Sequence, residues 1–261
     1  VSFKLLEVIS VSKSYSGFKA LSDLSFKVGR GSMYAFLGPN GAGKTTTIKV
    51  LTGILTPDSG DALINGVSIV NDPIRAKRNC GYLPDTPMLF EKLTGTQYLN
   101  FIMDIFEVPA SERRGRVEKL IEAFELGPHI NSLIESYSLG TKKKIGMVAA
   151  CCHRPPVLLL DEPTSGLDPQ SVRAFKDILK AMTAQGVTVF FSTHILEVAE
   201  KICDRVAIIG GGRLVAEGSV DEIRRGLAGA NREDDKSKTL EDIFLELTAK
   251  NGSSQEACAG A

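Results

Sequence analysis

The run Gly38-Pro39-Asn40-Gly41-Ala42-Gly43-Lys44-Thr45-Thr46 constrains this chain more than any other stretch. It satisfies the G-x-x-x-x-G-K-[ST] pattern in full, and it lies between an apolar segment, Met33 to Leu37, and an expected helix, Thr45 to Leu51. The glycines let the backbone curl so that successive N–H groups point at phosphate oxygens, and the helix that follows adds the positive end of its dipole. A nucleoside triphosphate is the natural occupant. Lys44 is then a point charge on the β and γ phosphates, and the Thr45 hydroxyl is a ligand for Mg²⁺.

A second segment strengthens that reading. Val157-Leu158-Leu159-Leu160-Asp161-Glu162 is an apolar strand that ends in two carboxylates. Ligands of open α/β sheets collect at the carboxyl ends of strands, so these acids are expected to face the phosphate loop. Asp161 suits Mg²⁺, a hard ion that wants oxygen ligands, and Glu162 is left to polarise an attacking water as general base.

The remaining pattern is that of an α/β chain. Phe3 to Ile9, Leu24 to Val28 and Ala62 to Ile69 read as short strands of an N-terminal antiparallel sheet, with Asn65-Gly66 as a hairpin turn. Gly81 to Leu83, Val157 to Leu160, Val187 to Phe191 and Val206 to Ile209 are short aliphatic runs separated by helical stretches, as strands buried on both faces are. Between Thr94 and Ala150 the spacing turns helical: Leu99, Ile102, Met103 and Phe106 recur at i, i+3, i+4, i+7, as do Val117, Leu120, Ile121 and Phe124. After Gly218, Ser219-x-x-Glu222 is a capping box, Thr239 opens a further helix, and the tail from Gly252 is expected to be flexible.

Composition narrows the classes. With 261 residues and 43% hydrophobic content the chain has ample material for a buried core. Lys plus Arg equals Asp plus Glu at 31 each, so no global field favours nucleic acid or an anionic membrane. Cys80, Cys151, Cys152, Cys203 and Cys258 show no metal spacing, and a reducing cytosol is the simpler home. No signal peptide is expected, and the longest apolar run, Ile145 to Cys152, falls far short of the ~20 residues of a membrane helix.

At this point the sequence resembles the ATP-binding cassette ATPases, the nucleotide-binding subunits of ABC transporters, over about Leu6 to Ala249. Tyr15 in Lys13-Ser14-Tyr15-Ser16-Gly17 looks like the aromatic that stacks on adenine. Asp161-Glu162-Pro163-Thr164-Ser165-Gly166-Leu167-Asp168-Pro169 matches the Walker B segment and D-loop almost letter for letter. His194 in Ser192-Thr193-His194 stands at the switch-histidine position, and Tyr137-Ser138-Leu139-Gly140-Thr141-Lys142 at the signature position. The resemblance implies a P-loop NTPase fold with a RecA-like, mostly parallel sheet core, an N-terminal antiparallel β subdomain and a helical insertion at about 90–150. By that resemblance residues 1–220 are expected to form the cassette and 221–261 the C-terminal helices and flexible tail. It also implies ATP and Mg²⁺ as cofactors, with Glu162, His194 and Lys44 as the catalytic set. Gly38 to Thr46, Tyr15, Ser138, Gly140 and Asp168 are the nucleotide contacts. Two cassettes pack head to tail, so that Ser138 and the Gly140 amide of one complete the γ-phosphate site of the other. The partners implied are a second cassette and an integral membrane permease, at the cytoplasmic face of the cell membrane; an isolated chain is cytoplasmic.

Two motifs depart from the family. Leu139 and Thr141 replace a glycine and the glutamine of LSGGQ, and in Tyr82-Leu83-Pro84-Asp85 the Q-loop glutamine is replaced by Asp85. A carboxylate there can still ligate Mg²⁺ while adding negative charge beside the triphosphate. Lys142-Lys143-Lys144 reads as a solvated helix face, not a nucleic-acid contact, and His129 and His153 lack partners at metal-ligand spacing. Met88, Leu89, Phe90 and Leu93 read as core, or, given the resemblance, as the place where a permease helix docks. Within the family the closest likeness is to exporter-type cassettes of multidrug or antibiotic efflux. The alternative class is a soluble cassette protein of translation or DNA repair. Against it, the chain lacks both the second cassette of the former and the large insertions of the latter.

Overall fold

The computed structural model describes residues 4–227. In chain order the elements are β1 (Lys4–Tyr15), β2 (Phe18–Gly29), β3 (Met33–Leu37), α1 (Lys44–Leu51), β4 (Ser59–Ile64), β5 (Val67–Ser68), α2 (Pro73–Arg78), β6 (Cys80–Leu83), α3 (Gly95–Ile105) and α4 (Ala110–Ala123). A short 3₁₀ turn at Ile134–Ser136 leads to α5 (Leu139–Cys151), β7 (Val157–Asp161), α6 (Pro169–Ala184), β8 (Thr188–Thr193), α7 (Leu196–Ile202), β9 (Arg205–Gly210), β10 (Arg213–Gly218) and α8 (Val220–Leu227).

Two sheets result. The antiparallel sheet has the order β2-β1-β4-β5, and the larger sheet the order β10-β9-β3-β8-β7-β6. In the larger sheet β6, β7, β8, β3 and β9 run parallel, and β10 closes the edge antiparallel to β9. Asn65 and Gly66, at φ 50 and 76, form the expected hairpin between β4 and β5. The β1–β2 ribbon runs past the expected strand ends to the pair Tyr15 and Phe18, with Val11, Ala20 and Leu21 buried in that outer part. Register shifts between Val8 and Ser14 break the two-residue alternation there, so hydrophobic pattern alone does not reveal it. The β9–β10 hairpin also lacked a strong signal: Gly211 and Gly212 make its turn, and Leu214, Val215 and Ala216 are only half-buried.

The uniformly apolar strands are explained by burial on both faces. Met33, Ala35 and Leu37 of β3 point to one core with Leu158 and Leu160, while Tyr34 and Phe36 point to the other with Val157, Leu159 and Phe190. The second core joins the two sheets, and Phe26 of β2 stacks on Phe190 at 5.5 Å and on Tyr34 at 5.7 Å. The first core carries the helical region. There α3 begins at a capping box in which Thr94 Oγ1 accepts from Gln97 N at 3.2 Å and Gln97 Oε1 accepts from Thr94 N at 2.9 Å. Leu99 and Met103 of α3 and Val117 of α4 pack inward with Phe124, as their spacing predicted.

Some expectations need correction. Met88 and Phe90 are not core: they are 94% and 56% exposed, and only Leu89 and Leu93 pack partly against the helical layer. Phe90 instead makes an edge contact with Phe101 at 5.1 Å, on the surface of that layer. The capping box at Ser219 is present, with Ser219 N donating to Glu222 at 2.8 Å and Glu222 N to Ser219 Oγ at 3.1 Å. The helix expected from Thr239 and the tail from Gly252 lie outside the described residues.

Candidate nucleotide site

Parallel register builds the site. Leu37 pairs with Thr193 and Asp161 with Ser192, so the ends of β3, β7 and β8 lie level. The phosphate loop follows the first, Glu162 the second and His194 the third. The loop is glycine-dependent by contact as well as conformation. Gly43 has φ 111 at the N-cap of α1, and a Cβ there lies 2.8 Å from both the Ala20 carbonyl oxygen and Leu21 Cδ2. A Cβ on Gly38 lies 2.7 Å from the Ile209 carbonyl oxygen. The loop thus rests on β2 and on the β9–β10 turn, whose Gly212 N donates to Ala42 O at 3.0 Å.

Lys44 and Glu162 meet beneath that loop. Lys44 Nζ donates to Gly38 O at 2.7 Å and Pro39 O at 3.2 Å, and it lies 3.8 Å from Glu162 Oε1. Burial lowers the Lys44 pKa, against the opposing pull of Glu162 and Asp161. The other Glu162 oxygen, Oε2, is 3.0 Å from His194 Nδ1. Asp161 is 2% exposed and its Oδ1 accepts from Ser192 Oγ at 2.5 Å. Ser192 Oγ in turn accepts from Glu162 N at 3.0 Å, which ties the two acids to the neighbouring strand. Thr45 and Asp161 line one wall of a cleft of about 870 Å³ between β6, α1 and α5, and Asp85 lines the same cleft. The acid burial is also felt by Tyr82, whose pKa is pushed up to about 12, first by its own burial and then by Asp161.

The other expected residues have contacts of their own. Tyr15 is a partly exposed ring at the end of β1. Ser138 and Asp168 both cap helices: Ser138 Oγ accepts from Thr141 N at 3.2 Å at the start of α5, and Asp168 Oδ1 from Ser171 N at 2.8 Å at the start of α6. Those Ser171 contacts hold the Asp168 carboxyl below its ordinary range. Gly140 faces Gly166 and Leu167, and the phosphate loop is not among its nearest neighbours. Ser138 and Gly140 make their nearest contacts within α5 and with Gly166 and Leu167, whereas Glu162 meets both Lys44 and His194.

The lysine run is not a solvated face. Lys142, Lys143 and Lys144 pair with Glu91 at 2.5 Å, Asp85 at 3.2 Å and Asp168 at 3.8 Å, and the Lys143 side chain is 3% exposed. Their partners come from loops distant in sequence, which no local pattern shows. Cys80, Cys151, Cys152 and Cys203 are free thiols, and burial pushes the Cys80 thiol up to about 11. Among the described residues no three His, Cys, Asp or Glu side chains converge on a metal position, and no helix is long and apolar enough to cross a membrane.

Comparison with known proteins agrees with this geometry. The ABC transporter family matches residues 21–165. An uncharacterized ABC transporter ATP-binding protein of Nostoc sp. is 40% identical over 78% of this chain, which spans 61% of that relative's length. The daunorubicin/doxorubicin resistance ATP-binding protein DrrA of Streptomyces peucetius is 36% identical over 86% of this chain and 68% of its own length. A solved ATP-binding subunit of an ABC transporter superposes with a TM-score of 0.88 at 36% identity, covering 94% of this chain and 99% of that one. By its motifs, its fold and these relatives, the chain belongs to the ABC transporter family and carries that family's ATP-binding cassette.

Proposed function

We propose that this chain hydrolyses Mg-ATP and thereby powers export through a separate membrane permease. The observation that carries the reading is the position of the Glu162 carboxylate, 3.8 Å from Lys44 and 3.0 Å from His194, at the end of β7 and beside the phosphate loop. A carboxylate held there can take a proton from water, Lys44 can exchange its loop carbonyls for phosphate oxygens, and His194 can orient Glu162 and contact the γ-phosphate. Asp161 and Thr45 offer only oxygen, the donor set of a hard cation, and would be the residues that hold a Mg²⁺ ion. It would neutralise charge on the phosphates. Asp85, held by Lys143, joins that set only when its loop moves off the lysine.

Ser138 and Gly140, set at the N-terminus of α5 and away from Lys44, suit a role toward a second copy's nucleotide, which favours a head-to-tail pair. ATP then acts as the glue, and hydrolysis separates the chains. The likeness to a drug-resistance cassette supports the efflux assignment, and bound to a permease the chain would work at the cytoplasmic face of a membrane. No observation favours the soluble translation or repair reading.

The test is phosphate release by the purified chain. Glu162→Gln should lower turnover by roughly 10²- to 10⁴-fold and leave ATP affinity nearly intact, because the amide keeps the shape and loses the base. Turnover in that variant equal to wild type would remove Glu162 from the mechanism.

A further inference from the structure

The middle lysine of the run on α5 has an unusual set of partners. Lys143 Nζ donates to the carbonyl of Glu162 at 2.7 Å and to that of Ser165 at 2.9 Å, and it makes an ion pair with Asp85 at 3.2 Å. An ammonium has three protons, so its donor capacity is matched. With only 3% of the side chain exposed, the cation depends on Asp85 for charge compensation, and Asp85 stands half-exposed on the loop after β6.

The carbonyl it holds belongs to a kinked residue. Glu162 has φ 44, in the left-handed region that a side chain disfavours. The kink is fixed at both ends: Ser192 Oγ takes the Glu162 amide at 3.0 Å, while Lys143 Nζ at 2.7 Å and Ser165 N at 3.1 Å both donate to the Glu162 carbonyl. The direction in which the carboxylate leaves the chain, toward Lys44 and His194, depends on that backbone conformation.

The geometry points to Lys143 as a positioning residue: it holds the Glu162 kink that aims the general base, and Asp85 makes that hold depend on the position of its own loop. The inference rests on Glu162 acting as base in ATP hydrolysis. Lys143 touches neither nucleotide nor water in this role and acts only through Glu162 and Ser165. Because Asp85 lines the cleft between β6, α1 and α5, whatever displaces Asp85 there is felt at Glu162 through Lys143.

The test uses the full chain and measures kcat and KM for ATP, with thermal stability alongside. Lys143→Met should lower kcat by about 10-fold or more with KM changed by less than about 2-fold, since misplacing a catalytic group costs turnover and not ground-state binding. Lys143→Arg should restore part of the loss. Asp85→Asn should lower kcat a few-fold, and the double variant should be no worse than Lys143→Met, because coupled residues are non-additive. If Lys143→Met does not fold, Asp85→Asn carries the test alone, at an exposed position: an unchanged kcat overturns the proposal. So do wild-type kcat in folded Lys143→Met and strictly additive losses. Wild-type kcat in these variants, with Glu162→Gln inactive, overturns the Lys143 role alone; a wild-type chain without ATP turnover overturns the hydrolysis reading and this inference with it.

Discussion

Gly43 shows how closely single atoms decide this site. Its φ of 111 and the 2.8 Å approach of the Ala20 carbonyl to a would-be Cβ leave no room for alanine. Gly43→Ala should lower stability by about 1–3 kcal/mol and weaken ATP binding, because the loop must shift off β2 to accept the methyl group. A urea midpoint and an ATP titration check both effects, and an unchanged pair would mean that the loop tolerates another path. The residues of this centre were legible in the sequence because their chemistry is written in contiguous motifs: Gly38 to Thr46 and Asp161-Glu162 each announce themselves within a few positions. Lys143 was not legible. Its partners lie 58, 19 and 22 residues away, and only folding brings them to one nitrogen.

Among elements, β6 and α5 approach each other closely at Gly81. A Cβ on Gly81 would lie 2.0 Å from the Ala150 carbonyl oxygen and 2.8 Å from Leu158 Cδ2. The first neighbour is backbone and the second a fully buried methyl, so Gly81→Ala should push α5 off the sheet and sharply reduce soluble expression; expression and melting at wild-type levels would contradict this packing. His153, just after α5, gives the same interface a pH dependence. It stacks on Phe106 with centroids 3.6 Å apart, and its Nε2 donates to the Cys80 carbonyl at 3.2 Å. Burial pushes its pKa from 6.5 down to about 4, opposed by the Cys80 carbonyl and reinforced by Arg116. Between those values the unfolded chain binds more protons than the folded one, so stability is full above about 6.5 and is lost as pH falls toward 4. The loss is about 2 kcal/mol, and His153→Gln should flatten the fall in urea midpoint between pH 7 and pH 4.5. An equally steep fall in the variant would assign the dependence elsewhere. Helix spacing and the Asn65-Gly66 turn were readable here because each is a local pattern. The outer β1–β2 ribbon and β10 were not: register shifts break the alternation in the first, and Leu214, Val215 and Ala216 of the second are only half-buried.

For the whole molecule, two sheets share one aromatic core, and the phosphate loop, Glu162 and His194 are strand-end features of the larger sheet. Ser138 and Gly140 stand apart from them at the head of α5, which is why the account calls for a second copy. Glu162→Gln, which should retain ATP, is expected to run as a two-chain particle with Mg-ATP and as a single chain with ADP when its mass is measured by light scattering; one-chain mass with ATP demonstrably bound would contradict the pairing. Pairing and hydrolysis both depend on nucleotide phosphates being held in the Gly38 to Thr46 loop by Lys44. The most direct test of that hold is a titration of Mg-ATP into the wild-type chain and into Lys44→Ala, followed by calorimetry. Loss of a buried, charged donor predicts binding weaker by about 10- to 100-fold in Lys44→Ala. Equal affinity in the two proteins would place the nucleotide outside the loop and contradict the account.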